Sequence, residues 1–388
     1  MPGSGGSRTV KRKTHLPRTM ATGPTSPPAV ARTLVGSALA LRPGEHLVVL
    51  SWNHTLPWAS AVVAEARRVG ARPVLFLEDE AAFWRAVAQS RSTSGWTALP
   101  RTAGAALRRA DALLYFPGPA DRPRLQGLPP DLLAPLLGHD DLWLAPRSRT
   151  GPRRLRCLLG YASDASAESW GIPGAMWRSQ LLRGISEADY PRITETGRRA
   201  ERLLSAGREL RITGDDGTDV RLRLRRRAPW LDDGRVDPAD RRLGRLVATS
   251  PPGLVVVAVD ERSATGTAVA NRPSFLPGGR VQGGQWELEG GRLRNYWYAE
   301  GAEAFESAFA AAPRGRETVG LFGLGLNPAL PGGVPHAEDE EEGTVTLAIG
   351  GNSVYGGANR CRYLSWIAMG GATVAVDGVP LCDRGQLL

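Results

Sequence analysis

The sequence predicts a protein of two domains, an α/β N-terminal domain followed by a strand-rich α+β C-terminal domain. Up to about residue 186, apolar segments of strand length alternate with amphipathic helical segments, which is typical of a parallel sheet covered on both faces. Beyond that point strand-length segments dominate, and Gly-Gly pairs separate many of them. A chain of 388 residues is long enough for two hydrophobic cores. We therefore predict a disordered basic tail over 1–28 and domains over 29–186 and 187–388.

The elements of the first domain follow from hydrophobic periodicity and from capping and turn residues. Helical spacing ends at Arg42-Pro43-Gly44, and Thr55 is the expected N-cap of a helix that reaches Gly70. The predicted helices cover 29–41, 55–70, 79–88 and 132–137. The predicted strands cover 46–52, 73–77, 112–116 and 142–145.

In the second half the pattern changes after a connecting helix predicted over 189–206. The predicted strands of this half cover 209–213, 220–224, 253–260, 285–288, 292–299 and 345–350. Its clearest helix is predicted over 303–311. Paired glycines such as Gly290-Gly291 favour tight turns between these strands.

Composition excludes several classes of protein. The longest apolar segments, such as Leu47 to Trp52, are far shorter than the roughly 20 residues that cross a bilayer. No apolar signal-peptide core follows the basic start, so we predict a cytoplasmic protein without a membrane partner. Cys157, Cys361 and Cys382 are too few and too far apart for a disulfide framework or a structural zinc site.

The formal net charge of +10 raises the question of nucleic-acid binding. Residues 1–19 carry five basic residues and no acidic residue, so this tail accounts for half of the excess. The remaining arginines lack the interleaved aromatic residues that stack on bases. We interpret the tail as a disordered segment, or as the product of a start codon upstream of Met20, and predict no nucleic-acid partner.

Generic catalytic motifs do not occur in the sequence. It contains neither the phosphate-binding G-x-x-x-x-G-K nor the metalloprotease H-E-x-x-H, and none of its five histidines stands at a metal-ligand spacing from another. His54 follows the first predicted strand at its carboxyl end, where open α/β sheets bind ligands. We keep His54 as a candidate substrate-binding residue, although local capping explains its neighbours Asn53 and Thr55 equally well.

Four blocks in the second half have the order and spacing of known family motifs. They read Asn271-Arg272-Pro273-Ser274, Val319 to Pro328, Asp339-Glu340 with Gly343 to Gly350, and Gly356 to Trp366. The blocks resemble the N-x-P-x-G-E, G-E-x-x-x-G-x-N-P, D-E-(x)-G-T-x-H and G-x-N-x-S-x-x-H-x-D motifs of the aminopeptidase T and aminopeptidase S family of dinuclear metallopeptidases. Leu41 to Val87 is similar to the opening of that family. The resemblance implies an aminopeptidase T/S-like fold and a homodimer that encloses a cavity.

The resemblance also implies a site for two divalent metal ions, held in the family by two glutamates, two histidines and an aspartate. We call the aligned residues of this chain the former ligand positions; they are Leu276, Leu321, Thr346, Leu364 and Trp366. Zinc and cobalt need imidazole, carboxylate or thiolate donors, and these side chains offer one hydroxyl group. We therefore predict neither a metal site nor a cofactor here.

The former ligand positions have two interpretations, because they either line an apolar binding pocket or fill the old metal cavity as core. Tyr355 and Tyr363 lie beside them in the chain and either orient a ligand or only pack their rings. His336 precedes an acidic run from Glu338 to Glu342, which we interpret as a solvated loop because prolines and glycines flank it. The alternative is a substitute metal site formed by His336 with Glu338, Asp339 and Glu340.

Two functional hypotheses follow. The first is a metal-free protein that binds or modifies a peptide or a peptide-like small molecule in a specialised peptide pathway, built on an aminopeptidase scaffold. Its substrate-binding residues would be the former ligand positions with Tyr355, Tyr363 and His54. The alternative is a metal-dependent aminopeptidase whose metal ligands have moved to the acidic run.

Overall fold

The structure, a computed structural model, describes residues 23–90, 94–129, 132–133, 136, 143–144, 151–276 and 278–388. The predicted tail therefore lies outside the described residues up to position 22. Its last two residues, Pro27 and Pro28, already form the first turn of a helix, because proline is well tolerated at helix N-termini. That helix passes directly into a π-helical segment, Thr33–Ala38.

Five of the α-helices in the described part of the chain lie where the sequence predicted helices, with small shifts at their ends, whereas those at 101–109, 164–169, 174–186 and 238–243 were not predicted. The α-helices are α1 (Pro27–Arg32), α2 (Leu56–Arg68), α3 (Glu80–Gln89), α4 (Arg101–Arg109), α5 (Asp164–Ser169), α6 (Gly174–Ser186), α7 (Tyr190–Ala206), α8 (Pro238–Leu243) and α9 (Ala302–Ala311). Side-chain caps set several starts: Asp79 accepts a hydrogen bond from the backbone N–H of Ala82 at α3, and Asp189 accepts one from Arg192 at α7.

The first half forms a five-stranded parallel sheet in the order β2-β1-β3-β4-β8. Its strands are β1 (His46–Trp52), β2 (Arg72–Glu78), β3 (Ala112–Tyr115), β4 (Arg153–Cys157) and β8 (Val247–Ser250). The predicted boundary at residue 186 stays a prediction, and the sheet itself takes its edge strand β8 from the second half of the chain. β8 then leads through Pro251 and Pro252 into the second half's sheets.

One predicted strand of the first half is wrong. The sequence predicted a strand over 142–145, yet the described residues Trp143 and Leu144 are helical. The strand that pairs with β3 is β4. Because β4 contains three arginines, the sequence pattern indicated a polar segment there and not a strand. Arg153 forms an ion pair with Glu45 at 2.7 Å, and the buried Arg154 donates from Nε to the Trp143 carbonyl at 3.2 Å. These partners satisfy the charges that would otherwise oppose burial of the strand.

The second half contains two larger antiparallel sheets packed face to face. The strands are β5 (Glu209–Thr213), β6 (Asp219–Arg223), β7 (Trp230–Asp232), β9 (Leu254–Ala258), β10 (Thr265–Val269), β11 (Ser274–Leu276), β12 (Gly279–Val281), β13 (Gln285–Glu289), β14 (Arg292–Trp297), β15 (Val319–Gly325), β16 (Val345–Gly350), β17 (Leu364–Met369), β18 (Thr373–Val376), β19 (Val379–Asp383) and β20 (Gln386–Leu387). An eight-stranded sheet has the order β14-β13-β10-β6-β5-β18-β19-β20, and a five-stranded sheet has the order β17-β16-β15-β9-β7. β11 and β12 form a separate hairpin.

The main core of this half lies between those two sheets. Ile212 and Trp286 of the eight-stranded sheet face Phe322 and Leu347 of the five-stranded sheet, together with one side of α7. Alternation along each strand leaves a second side of the five-stranded sheet that does not enter this core. The candidate site lies on that second side.

Candidate functional site

The five-stranded sheet carries a second, smaller apolar cluster on the side away from the main core, which we call the outer face. Its centre is a row of four residues in register on four adjacent strands: Ala258, Leu321, Ala348 and Trp366. Leu321 and Ala348 are only 5% and 6% exposed, whereas Trp366 is half-buried. Pairing geometry thus brings two former ligand positions, Leu321 and Trp366, onto one surface.

Aromatic side chains border this row. The ring of Tyr355, which ends a 3₁₀ turn at Ser353–Tyr355, lies 5.4 Å from the ring of Trp230 on β7. Both rings are half-buried and pack against the outer face. The indole Nε1 of Trp366 is buried and has no hydrogen-bond partner among the described residues. An unpaired buried donor costs free energy, so this atom is suited to a ligand acceptor.

Two further former ligand positions lie on the outer side of the same strands. Thr346 lies two residues before Ala348 on β16 and therefore on the same face. It pairs with Gly323 of β15, where an added Cβ atom would collide with the threonine hydroxyl. Leu364 begins β17 and is 42% exposed. Val354, next to Tyr355 in the chain, is 78% exposed. The outer face therefore opens to solvent near the start of β17.

Leu276 and Tyr363 are placed elsewhere. Leu276 ends β11 and packs into the main core, and its carbonyl accepts a hydrogen bond from Trp170 Nε1 at 3.3 Å. Tyr363 packs against the same core, with its ring 6.0 Å from that of Phe309. Burial raises the pKa of Tyr363. The structure thus divides the predicted site residues between two neighbouring clusters, and their role in binding stays a prediction.

The acidic run, predicted to be a solvated loop, is instead packed against the protein. Glu338 is 1% exposed and Glu340 is 5% exposed. The loop pairs with the end of β15, because Leu326 and Asn327 both donate backbone hydrogen bonds to the Glu340 carbonyl. Gly325 makes this close approach possible, since a side chain there would collide with the loop backbone. Proline and glycine neighbours indicated a turn but not its burial.

Arg272 fixes the loop from the other side. Its guanidinium group forms an ion pair with Glu341 at 3.0 Å, and Thr344 donates to the same carboxylate at 2.9 Å. The guanidinium carbon lies between Gly332 and Gly370, where an added Cβ atom would come within 2.7 Å of it. Arg272 belongs to the block that resembles N-x-P-x-G-E, so this part of the motif positions the acidic loop.

Burial changes the protonation of the loop. It raises the pKa of Glu338 to about 8, with the charge of Asp339 adding to the effect. Burial, again with Asp339, holds the pKa of Glu340 well above its ordinary value. Glu338 accepts a hydrogen bond from the Phe275 backbone at 3.3 Å, but Oε2 of Glu338 and of Glu340 have no partner among the described residues. Near neutral pH the Glu338 carboxyl group therefore holds a proton and can act as a donor.

The outer face and the acidic loop meet at Tyr355. Burial raises the pKa of Tyr355 to about 12, and Arg156, Asp339 and Asp232 lie near enough for their charges to affect it. Burial raises the pKa of Asp232 to about 6, although it accepts hydrogen bonds from the Thr249 and Gly234 backbones. The Tyr355 hydroxyl is therefore a neutral donor at the junction of an apolar surface and a polar one.

The two candidate histidines have structural partners. His54 lies at the carboxyl end of β1, as predicted, with Nε2 2.9 Å from the Gly160 carbonyl; burial lowers its pKa. The ring of His336 stacks on Tyr161 at 4.2 Å and lies 5.5 Å from Trp170. Burial, assisted by nearby Arg122 and Arg156, lowers the pKa of His336 to about 3. His336 is therefore neutral near pH 7.

The residues present do not fit the pair of divalent metal ions that the family resemblance implies. Around the outer face the former ligand positions offer hydrocarbon, one threonine hydroxyl and an indole N–H donor. Within the described ranges, no group of three or more His, Cys, Asp or Glu side chains has an arrangement that could hold a metal ion. The substitute set of His336, Glu338, Asp339 and Glu340 is accordingly not brought together as a metal site.

Sequence reasoning missed several residues of the site. Trp230 and Asp232 belong to β7, which at three residues is too short to show periodicity. Arg156 belongs to β4, which was not predicted because of its arginines. The D-E of the third motif-like block, Asp339-Glu340, is the one signal in the sequence that could have indicated the burial of Glu340. None of the described helices is long and apolar enough to span a bilayer.

Comparison with known proteins identifies the fold. No protein-family model matches the chain, and no curated protein matches its sequence. The structure of wild-type AmpT from Thermus thermophilus aligns with a TM-score of 0.64 at 19% identity, over 93% of this chain and 98% of that one. A 2,5-dihydroxypyridine dioxygenase from Pseudomonas putida KT2440 aligns with a TM-score of 0.61 at 16% identity, over 95% and 98%. The chain has this fold, and the predicted fold class is confirmed.

Proposed function

We propose that this chain is a metal-independent protein that binds, and in its pathway presents or modifies, a peptide or a peptide-like small molecule on the outer face. The observation that carries the proposal is the row Ala258, Leu321, Ala348 and Trp366, in which Leu321 and Trp366 place a hydrocarbon side chain and an indole where the related motifs have metal ligands. The fold alone does not determine the reaction, because two structures that share it bear the names of an aminopeptidase and a dioxygenase.

The distribution of polar groups supports a ligand with amide or carbonyl oxygens. Trp366 Nε1 is an unpaired donor on β17 at one edge of the outer face, and the Tyr355 hydroxyl is a neutral donor toward the other edge, where its ring packs on Trp230 of β7. The apolar row between them accommodates a side chain of the ligand. The exposed side chains of Leu364 and Val354 indicate that the border of the outer face is accessible to solvent. Apolar surface with a few placed donors is the usual composition of small-molecule and peptide sites.

A binding experiment tests the site directly. Isothermal titration calorimetry with a panel of free and N-acetylated di- and tripeptides is carried out on the metal-stripped protein, with the Trp366→Ala variant in parallel. We expect Trp366→Ala to weaken the best ligand at least about tenfold, since buried tryptophans commonly dominate recognition. Trp297→Ala is the matched control, because Trp297 is 60% exposed on β14 of the other sheet.

Equal loss of affinity in both tryptophan variants, or tight binding that Trp366→Ala leaves unchanged, would remove the outer face as the binding site.

Elemental analysis of the pure protein addresses the metal-dependent alternative. Near-stoichiometric zinc, cobalt or manganese that is lost in Glu340→Gln would establish that alternative and end the proposal. Mass spectrometry of the bound peptide after incubation distinguishes binding from covalent modification.

A further inference from the structure

Strand β17 is an edge strand of the five-stranded sheet that carries the outer face. Among the described residues, β16 is the only strand that pairs with it. Gly351 donates its N–H to the Tyr363 carbonyl at 2.8 Å, across the junction of β16 and β17. Because successive residues of a strand alternate, Leu364, Trp366 and Ala368 direct their backbone N–H and C=O groups away from β16.

Segment 271–274 occupies only one end of this edge. Arg272 donates its N–H to the Ala368 carbonyl at 3.2 Å, and the Ser274 hydroxyl donates to the Trp366 carbonyl at 3.3 Å. No hydrogen bond within the described part of the chain uses the Trp366 N–H or either backbone group of Leu364. Two donors and one acceptor are therefore open where Leu364 is 42% exposed. Such an edge is a template for an added peptide strand.

Four arginines lie in two neighbouring segments that adjoin the start of β17. Asn359 donates from Nδ2 to the Gly315 carbonyl at 2.8 Å, which joins segment 357–364 to segment 312–316. These two segments contain no aspartate and no glutamate. We call their arginines the basic corner; they are Arg314, Arg316, Arg360 and Arg362.

The basic corner is open to a negatively charged ligand. Arg360 and Arg362 are exposed, and their side chains form no ion pair or hydrogen bond with the rest of the described residues. The carboxylate of Glu261 accepts from the Ala358 N–H at 2.7 Å, but its charge is already compensated by Arg227 at 2.8 Å. Guanidinium groups without partners bind carboxylates well, because their N–H groups match the two carboxylate oxygens.

We infer that the ligand is a peptide that adds to the open edge of β17 as an antiparallel strand and ends in a free C-terminal carboxylate at Arg362. This inference rests on the proposed function, whose ligand class it narrows. The direction follows from segment 271–274, which runs antiparallel to β17 and whose line the peptide continues past Trp366 toward Leu364. A chain in that direction has its C-terminal end nearest to Arg362, two residues before Leu364.

The register of the added strand follows from the open backbone groups. Leu364 donates to and accepts from the ligand residue that faces it, and Trp366 donates its N–H to the carbonyl two residues earlier in the ligand. Side chains of these two ligand residues lie on the outer face, beside Leu364 and Trp366, so both are expected to be apolar. The intervening ligand residue directs its backbone groups away from β17.

Calorimetric titration of the full chain with acetyl-Ala-Leu-Ala-Leu-Ala tests the carboxylate. We expect its C-terminal amide to bind the wild type at least about tenfold more weakly than the free acid, because the amide lacks the charge that Arg362 recognises. In Arg362→Gln this difference should fall below about threefold. Arg221→Gln is the matched control, because Arg221 is also exposed and forms no ion pair with described residues, but lies on β6 of the other sheet.

N-methylation of the peptide tests the strand register without any change to the protein. Methylation of the nitrogen of the fourth residue removes the donor to the Leu364 carbonyl and should weaken binding at least about tenfold. Methylation of the third or the fifth nitrogen should change affinity less than about threefold, because those nitrogens point away from β17.

The outcomes separate this inference from the proposed function. If peptides bind and Trp366→Ala weakens them, the proposed function stands. The inference is then overturned by equal binding of acid and amide, by equal effects of Arg362→Gln and Arg221→Gln, or by N-methylation without the two-residue alternation. Failure of this peptide to bind while others bind at Trp366 overturns it as well. If no peptide binds, both the proposed function and the inference are wrong.

Discussion

The two faces of the five-stranded sheet differ although the same four strands build both. On the inner face, Val257, Phe322, Leu347 and Ile367 form a row in register that is almost completely buried in the main core. The outer row lies one residue away from the inner row on each strand. It combines aliphatic side chains with a half-buried tryptophan whose N–H has no hydrogen-bond partner among the described residues. The inner face is explained by packing alone. The outer face has donors and exposure that packing does not require.

This difference shows where the chain tolerates chemical change. Substitutions on the inner face must preserve volume, because interiors are close-packed and relax poorly. On the outer face, Gly323 and the row around Leu321 keep the strands in register, and hydrocarbon side chains occupy positions where the motifs that this chain resembles have ligands. The scaffold therefore depends on alternate residues of each strand, and the others are available for function.

The largest expected effect is a difference in the free energy of unfolding between a substitution on the inner face and one on the outer face. Phe322→Ala should lower the free energy of unfolding by about 3–5 kcal/mol, because it opens a cavity in a sealed core. Leu321→Ala should cost about 2 kcal/mol, at the low end of leucine truncations, since its neighbours border solvent. Urea unfolding followed by circular dichroism measures both. Equal losses of unfolding free energy in the two variants would contradict the proposed difference between the faces. A change in ligand affinity in Phe322→Ala but not in Leu321→Ala would contradict it as well.

A second prediction uses the buried loop beside the outer face. The folded protein holds a proton on Glu338 up to a pKa of about 8, whereas the unfolded chain releases it near the ordinary glutamate value of 4.5. The folded state thus binds more protons in this window, so stability falls as the pH rises from 4.5 to 8. Glu338→Gln should be close to wild type at pH 4.5 and about 2–4 kcal/mol more stable at pH 8.

Urea unfolding of both proteins across that pH range tests this prediction. A difference that does not change with pH would show that Glu338 ionises normally. His336 acts in the opposite direction, since its lowered pKa removes stability as the pH falls from 6.5 toward 3. The comparison with Glu338→Gln isolates the carboxyl contribution because the histidine is common to both proteins.

The smallest expected effect concerns the support of the loop. Arg272→Lys keeps the charge but loses the planar group that fits between Gly332 and Gly370, and it should cost about 1–2 kcal/mol. Arg292→Lys, in the exposed pair with Glu317, should cost less than about 0.5 kcal/mol. Hydrogen exchange should show faster opening near Glu340 in Arg272→Lys only. Unchanged exchange there would remove Arg272 as the support of the loop.

Prediction from sequence succeeded for elements whose signal is local. The helix ending near Arg68 and the strands at Glu209–Thr213 and Val345–Gly350 follow from periodicity and turn residues. It failed for β4, where buried arginines obtain partners from distant segments, and for residues 143 and 144, whose apolar character suits a helix as well as a strand. The signal in both cases depends on neighbours that are remote in the chain.

Residue type and spacing were sufficient to predict the α/β and strand-rich halves, the parallel sheet and the chemistry of the former ligand positions. Which of those positions share a surface depends on tertiary contacts. Strand register places Leu321 and Trp366 in one row, on either side of Ala348, whereas Leu276 at the end of β11 packs into the main core. Tertiary contacts also bury Glu338 and Glu340 of the acidic loop and raise the pKa of both carboxyl groups. Desolvation depends on what covers a residue, and the linear sequence does not contain that information.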